Sequence, residues 1–440
     1  MLLFLVFILF INLVVFYKVF NKNFMAPSFL FTVGLIFSSL SALCVQDIWN
    51  FHFEIETVFI IYISDICFFC GELFLFPYFS NHSCKDYKIQ KNDDVIVIKK
   101  SDKFYFFYAF ISFILCTVYI KGLIIMAQEA GWKGEFIFLM YYIRCATQYS
   151  DDISMSRIAS WSFNFLEAYA FYAAFYIVFF KSSKKVKLCL VLSIIAYLAA
   201  CILSSGRLPI IIFFFCCVVF WCIKQYQFSG ITLKTNRYII KKIMPAVVIF
   251  SMLFLVIGFA RRNHENDQNK GRSTFETVSL YAGSGIIGLN QYIVQQGHRS
   301  LYVGQTTLNG FHVLLNKFGG NFPTQKNTLE FINITPKIKT NIYSAFGRLV
   351  PDYGIAGCFI IIFFMGALYA LFYYMVCNSH HYGMLLYGAS VYPLLLSGIE
   401  EEFLVRFLSI DYIVKVVFLY LVYTLFRITI EKKYLKVCTK

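Results

Sequence analysis

Apolar residues fall along this chain in long unbroken runs separated by short charged stretches. A helix crosses the hydrocarbon of a bilayer in about 20 mostly apolar residues. On that criterion the runs at approximately 1–17, 27–46, 57–79, 104–125, 158–180, 188–204, 208–223, 243–260, 353–376, 383–399 and 404–426 predict eleven transmembrane helices. The runs are continuous, which favours helices over a barrel, whose strands alternate apolar and polar positions. The first begins at Met1 with no basic n-region and no small-residue cleavage site, so it reads as a retained span. Composition agrees with the pattern. Apolar residues make up 59% of the 440 and charged residues 14%, against roughly a quarter charged in a soluble globule. Soluble enzymes, nucleic-acid binders and disordered scaffolds drop out, leaving an all-α polytopic membrane protein of about 11 transmembrane helices.

The net charge of +15 takes its meaning from where the basic residues sit. Lysine and arginine cluster in the segments 18–26, 80–103, 181–187 and 224–242 and in the tail after 426. The segment 47–56 has none, the 204–208 turn only Arg207, and 400–406 only Arg406. By the positive-inside rule the first set is cytoplasmic. Eleven spans then place the N-terminus outside and the C-terminus inside. The chain divides into eight spans (1–260, with an outside loop at 122–157), a large outside loop (261–352), three spans (353–426) and a cytoplasmic tail (427–440). Within the large loop, 275–296 and 304–318 mix apolar and polar residues at helical spacing, which predicts short amphipathic helices lying at the interface. No internal repeat points to the paired halves of a transporter.

Basic residues outside are the anomaly. Ten lie between Arg261 and Arg348 against four acidic ones, giving that loop about +6. Loops longer than about 60 residues escape the positive-inside bias, which accounts for the lysines between 317 and 339 as solvated charge. The arginines fit that account less well: Arg261 and Arg262 end a span, Arg348 precedes one, and Arg207 caps a very tight turn in "SSGRLPI". Each can snorkel to headgroups. Each can also present a guanidinium fork that fits phosphate oxygens bidentately, and several together suit a diphosphate lipid headgroup. In "TNIYSAFGRLVPDYGIAG", Pro351 allows an extended approach and Asp352 stands at a helix start, as a cap or as a general base. Tyr281 in "SLYAGSGIIGLNQYI", together with Asn341 and Tyr343, supplies the aromatic and amide groups that suit sugar faces, with plain helix packing as the alternative. Glu400, Glu401 and Glu402 form an outside acidic cluster beside Arg406. A solvated loop with a Glu402–Arg406 pair is the default there, and a sugar contact from Glu402 the alternative. His298 and His312 are proton-acceptor candidates, and the histidines show no zinc-like spacing. Cys67 and Cys70 sit three apart inside an apolar run and read as packing, flanked by Asp65 and Glu72. Intramembrane carboxylates of that kind face a polar interior.

The chain resembles the Wzy-type O-antigen polymerases, the family of oligosaccharide repeat-unit polymerases. The resemblance rests on the "SSGR" turn (204–207), the "SLYAGS" segment (279–284), the asparagine–tyrosine stretch running into "PDYGIAG" (351–357), and a large outside loop preceding the last three spans. It implies a GT-C-like glycosyltransferase of the bacterial inner membrane, with the large loop periplasmic. Such an enzyme transfers a growing glycan from undecaprenyl diphosphate onto a lipid-linked repeat unit, without cofactor or metal. Arg207, Arg261, Arg262, Arg272 and Arg348 are then the candidates for holding the diphosphates. Asp352, Arg207 and His298 are the candidates for catalysis. The implied partners are undecaprenyl-diphosphate-linked oligosaccharides, membrane lipids and a chain-length-determining membrane protein, with no nucleic acid. An O-antigen ligase, a lipid-linked oligosaccharide flippase and a structural envelope protein remain as alternatives.

Overall fold

Backbone groups in hydrocarbon have no water to bond, so each apolar run closes its hydrogen bonds internally as a helix. The computed structural model describes residues 1–82, 102–148, 153–204, 206–262, 274–295, 297, 299–324, 331–335 and 338–438. In chain order these form α1 (Leu2–Val19), α2 (Pro27–Leu43), α3 (Gln46–Trp49), α4 (Ile55–His82), α5 (Asp102–Glu129), α6 (Phe136–Gln148), α7 (Arg157–Phe179), α8 (Lys184–Leu203), α9 (Leu208–Ser229) and α10 (Leu233–Arg262). There follow α11 (Thr274–Val294), α12 (Asn309–Lys317), the antiparallel hairpin β1 (Ile332–Thr335) and β2 (Ile338–Thr340), α13 (Phe346–Cys377), α14 (His381–Ser390), α15 (Tyr392–Leu396), α16 (Leu404–Phe407) and α17 (Ile410–Cys438).

Among the described residues, seven helices are long and apolar enough to cross a membrane: α1, α4, α5, α7, α8, α9 and α13. Of the other sequence-predicted spans, 27–46 is the 17-residue α2, 243–260 lies within α10, and 404–426 is divided between α16 and α17. The run at 383–399 is not one helix. It breaks at Val391 into α14 and α15, where Pro393 occupies the first turn of the second piece. The Ser390 carbonyl left over at the break accepts a hydrogen bond from Tyr369 Oη at 2.6 Å. The outside loop expected at 122–157 is largely helical, because α5 continues to Glu129 and α6 follows at Phe136.

The chain divides into two compact units. The first comprises Met1–Lys91, Gln225–Gly383 and Ser390–Ile410. Its centre is the crossing of α4 on α13, where a Cβ at Gly71 would overlap the Phe363 carbonyl and one at Gly366 the Phe68 carbonyl. Small residues permit that approach, and close van der Waals contact is what holds helices together in lipid. The α1 and α2 helices pack on each other and on α4. The second unit comprises Asn92–Lys224, Met384–Ala389 and Asp411–Lys440. There α5, α7 and α8 pack together around a nest of aromatic rings in which Phe426 meets Tyr105, Tyr108, Tyr169 and Tyr172.

Candidate functional site

The segment between α10 and α13 is pinned to the helices of the first unit by backbone contacts, which small residues make possible. Ser344 N–H donates to the Gly285 carbonyl at 2.9 Å and Ala345 N–H to the Ser397 carbonyl at 2.8 Å. Side chains at Gly283, Gly285 and Gly288 would collide with backbone atoms of Ala42, Ile399 and Ile342 respectively. Every residue of α11 from Ala282 to Asn290 is therefore buried, and Asn290 bonds Glu54 N, Thr57 Oγ1 and the His52 carbonyl. This corrects the expectation of an amphipathic helix resting at the interface. The glycines make α11 a packing element between α2 and the segment after α15. Tyr281, on the same helix, is exposed, while Tyr343 is buried against Gly288 and Gly347. Asn341 is partly buried on the segment between them.

That packing sets the start of α13, and with it Arg348. The helix begins at Phe346, several residues before the predicted span, and Pro351 lies inside its first turns rather than in an extended approach. Gly354, at φ 70°, then kinks the helix before the long apolar part, a conformation glycine tolerates and other residues avoid. Arg348 is 4% exposed, with Nη2 at 3.2 Å from Glu400 Oε1, whose side chain is 40% exposed.

The acidic cluster is not a solvated loop. Glu401 is buried, and its carboxylate accepts from the backbone N–H groups of Phe403, Leu404 and Val405 at 2.7–2.9 Å. Burial pushes its carboxyl up to about 7, opposed by those N–H groups and the Arg348 charge. Glu402 is also buried and pairs with Arg406 at 2.7 Å. Burial raises its carboxyl too, and Arg406 opposes the shift. A carboxylate engaged with its own neighbouring arginine has this structural role, and a sugar contact from Glu402 would have to displace Arg406.

Asp352 lies one helical turn beyond Arg348 and does not cap its own helix, whose N-cap position is Ala345. Its carboxylate accepts from Thr306 N at 3.0 Å, Thr306 Oγ1 at 3.1 Å, Thr307 N at 2.9 Å and Thr307 Oγ1 at 2.8 Å, and also from Ser300 Oγ. Thr307 Oγ1 contacts Tyr353 Oη at 2.8 Å as well. Oδ2 is thus filled by Thr306 and Thr307 while Oδ1 takes Ser300, which ties the carboxylate to the 300–307 loop. Asp352 anchors the loop that leads into α12. There His312 is buried and stacks on Phe322 at 5.5 Å between ring centroids, with no hydrogen-bond partner for Nδ1 among the described residues.

The remaining predicted arginines fall elsewhere. Arg207 belongs to the second unit, in the turn between α8 and α9. Arg261 and Arg262 are the last residues of α10, with side chains outside the described set, and Arg272 and His298 lie outside the described residues altogether. Cys67 and Cys70 are free thiols on α4. Sequence reasoning passed over a buried ion pair of the second unit, Glu167 on α7 with Lys415 on α17 at 2.8 Å. Tyr197 Oη donates to Glu167 at 3.2 Å, and Lys415 Nζ lies 4.7 Å from the Phe171 ring centre. The signal was present: each is a lone charge inside an apolar run, "FNFLEAYAF" and "YIVKVVF".

Neither a family model, nor a curated protein, nor a solved structure matches this chain. The site has to speak for itself.

Proposed function

We propose that the protein is a polysaccharide repeat-unit polymerase, transferring a growing glycan from a polyprenyl diphosphate onto a lipid-linked repeat unit at the extracytoplasmic face of a bacterial inner membrane. The observation that carries the reading is the buried guanidinium of Arg348 at the mouth of an apolar helix, neutralised by a half-exposed partner, Glu400. A phosphate oxygen would compete with Glu400 for this guanidinium, and a guanidinium in a water-poor setting stabilises the charge that develops on a diphosphate leaving group. The second cation of this reading is Arg207 on the α8–α9 turn, with Arg261, Arg262 and Arg272 as further holders of the two lipid diphosphates. With Asp352 engaged as a loop anchor, the acceptor's proton goes to a histidine of the loop: His312 has an imidazole nitrogen to spare, and His298 is the other choice. No step calls for a nucleotide sugar.

The test is surface glycan from cells carrying Arg348→Ala or Arg207→Ala in place of the wild-type gene. A polymerase defect leaves single repeat units on the lipid core. Loss of all repeats points to a flippase or ligase, and an unchanged ladder removes both arginines from the chemistry.

One observation favours the flippase as a second reading. A flippase passes an anionic headgroup through the bilayer and is expected to hold cations within its helices, and Lys415 is such a cation. Purified protein in vesicles separates the two. A polymerase extends a synthetic diphosphate-linked repeat unit supplied on one face, whereas a flippase moves it between leaflets at unchanged length.

A further inference from the structure

Inside the first unit, α4 carries two carboxyl groups that the reading above does not use. Asp65 and Glu72 stand seven residues apart on one face of the helix, and both are 0% exposed. Among the described residues neither has a cation as partner; their neighbours are neutral side chains of α1 and α2. Asn12 Nδ2 donates to Asp65 Oδ2 at 2.8 Å, and Thr32 Oγ1 lies 2.7 Å from Asp65 Oδ1. Ser28 contacts Glu72 Oε2 twice, through N–H at 2.7 Å and through its hydroxyl.

Counting hydrogens decides what these contacts mean. Thr32 has one hydroxyl hydrogen and two acceptors in reach, Asp65 Oδ1 and, at 2.9 Å, the Ser28 carbonyl, which can only accept. A proton on Asp65 satisfies both contacts at once, with Thr32 donating to the carbonyl and accepting from Asp65. At Glu72 both donors converge on Oε2, while Oε1 is buried with no partner among the described residues. An ionised carboxylate carries half its charge on each oxygen, and a bare charged oxygen in hydrocarbon is the costliest arrangement available. A proton on Oε1 removes that charge and leaves Oε2 as a neutral acceptor for Ser28. Ser28 and Thr32, four residues apart on α2, thus bridge the two acids.

We infer that Asp65 and Glu72 form an intramembrane proton-binding site between α4 and α2, with the proton as its ligand. The titratable and charged groups on the elements packed against α4 do not supply a counter-charge. The α2 helix has none, and α1 has Tyr17 and an exposed Lys18. On α13, Arg348 is paired with Glu400 and Asp352 with the 300–307 loop, leaving tyrosines and cysteines. On α11 the candidates are Glu276, Tyr281 and Tyr292.

Infrared difference spectra of the full chain in phosphatidylcholine vesicles at pH 7 test the assignment. Wild type minus Asp65→Asn, and wild type minus Glu72→Gln, should each lose one protonated-carboxyl carbonyl band, and that band should shift in D₂O. Loss of ionised-carboxylate bands instead, conversion of the band by sodium chloride at fixed pH, or a band indifferent to D₂O overturns the site. A measurement on the wild type alone covers the case in which a variant does not fold. Dicyclohexylcarbodiimide, which reacts with protonated carboxyls in apolar surroundings, should label the peptide containing Glu72 with a yield that falls as pH rises. No label at any pH overturns the proposal.

Discussion

Glu401 shows how a single buried acid sets a pH response. Its carboxyl moves from 4.5 to about 7 in the folded protein because burial outweighs the three backbone N–H donors and Arg348. Between those two values the folded protein binds more protons than the unfolded chain, so stability falls as pH rises through that window. The full difference corresponds to ~3 kcal/mol, and Glu402, raised in the same direction, adds to it with the same sign. Thermal unfolding in detergent should therefore give a higher midpoint at pH 5 than at pH 7.5. Glu401→Gln should flatten that slope, and an unaltered slope would assign it to other groups. Asp352 makes a different prediction. Its charge gathers hydrogen bonds from Ser300, Thr306 and Thr307, and bonds to a charged group are worth roughly 1.5–3 kcal/mol each. Asp352→Asn should loosen the 300–307 loop, read as faster proteolysis there; on the proposed polymerase reading, chain extension falls through the misplaced loop and its pH profile is unchanged. A missing acidic limb in that profile would restore Asp352 as the base.

At the scale of elements, what holds the first unit together is the close approach of backbones at small residues. Gly366 on α13 faces the Phe68 carbonyl of α4, and Gly71 on α4 faces the Phe363 carbonyl of α13. A methyl at either position must push the helices apart, and overpacking of this kind costs roughly 1–3 kcal/mol. Gly366→Ala should lower the unfolding midpoint, whereas alanine at Gly134, which meets nothing within 4 Å, should cost only its backbone strain at positive φ. The same elements mark what the sequence could tell. The extents of α1, α7, α8 and α9 are legible because the hydrophobicity of a run is a local property, readable without knowing its neighbours. The fate of α11 is not, since its composition suits an interfacial helix and only its glycines, meeting Ala42, Ile399 and Ile342 from distant parts of the chain, bury it. The site divides along the same line. The Glu402–Arg406 pair follows from four-residue spacing, but the donors on Asp352 come from 45 to 52 residues away, and the pairing of Arg348 with Glu400 spans a comparable gap. Such contacts depend on loop paths that no periodicity encodes.

For the molecule as a whole, the polymerase reading counts Arg207 of the second unit and Arg348 of the first among its diphosphate holders, each described within its own unit. That assignment has a thermodynamic signature that needs no distance between them. Removing one preorganised donor from a developing anion typically costs about 2.7–4 kcal/mol, or about 10²–10³ in rate. Two donors on one pyrophosphoryl group are coupled, because the loss of either lets the group shift and weakens its grip on the other. Two donors on separate anions are independent, and their costs add within about 0.3–0.5 kcal/mol. The measurement is the rate of chain extension of a synthetic diphosphate-linked repeat unit by purified wild type, Arg207→Ala, Arg348→Ala and the double variant in vesicles. We expect each single variant to lose about 10²-fold; a double variant that loses less than the product of the two would put both arginines on one group. Lysine at either position should recover only part of the rate, because it restores a charge without the bidentate fork. Strict additivity would place the two arginines on different phosphates, the donor's and the acceptor's. A single variant with full activity would remove that arginine from the reaction and leave its unit to a separate task, for which the buried Glu167–Lys415 pair of the second unit is the place to look.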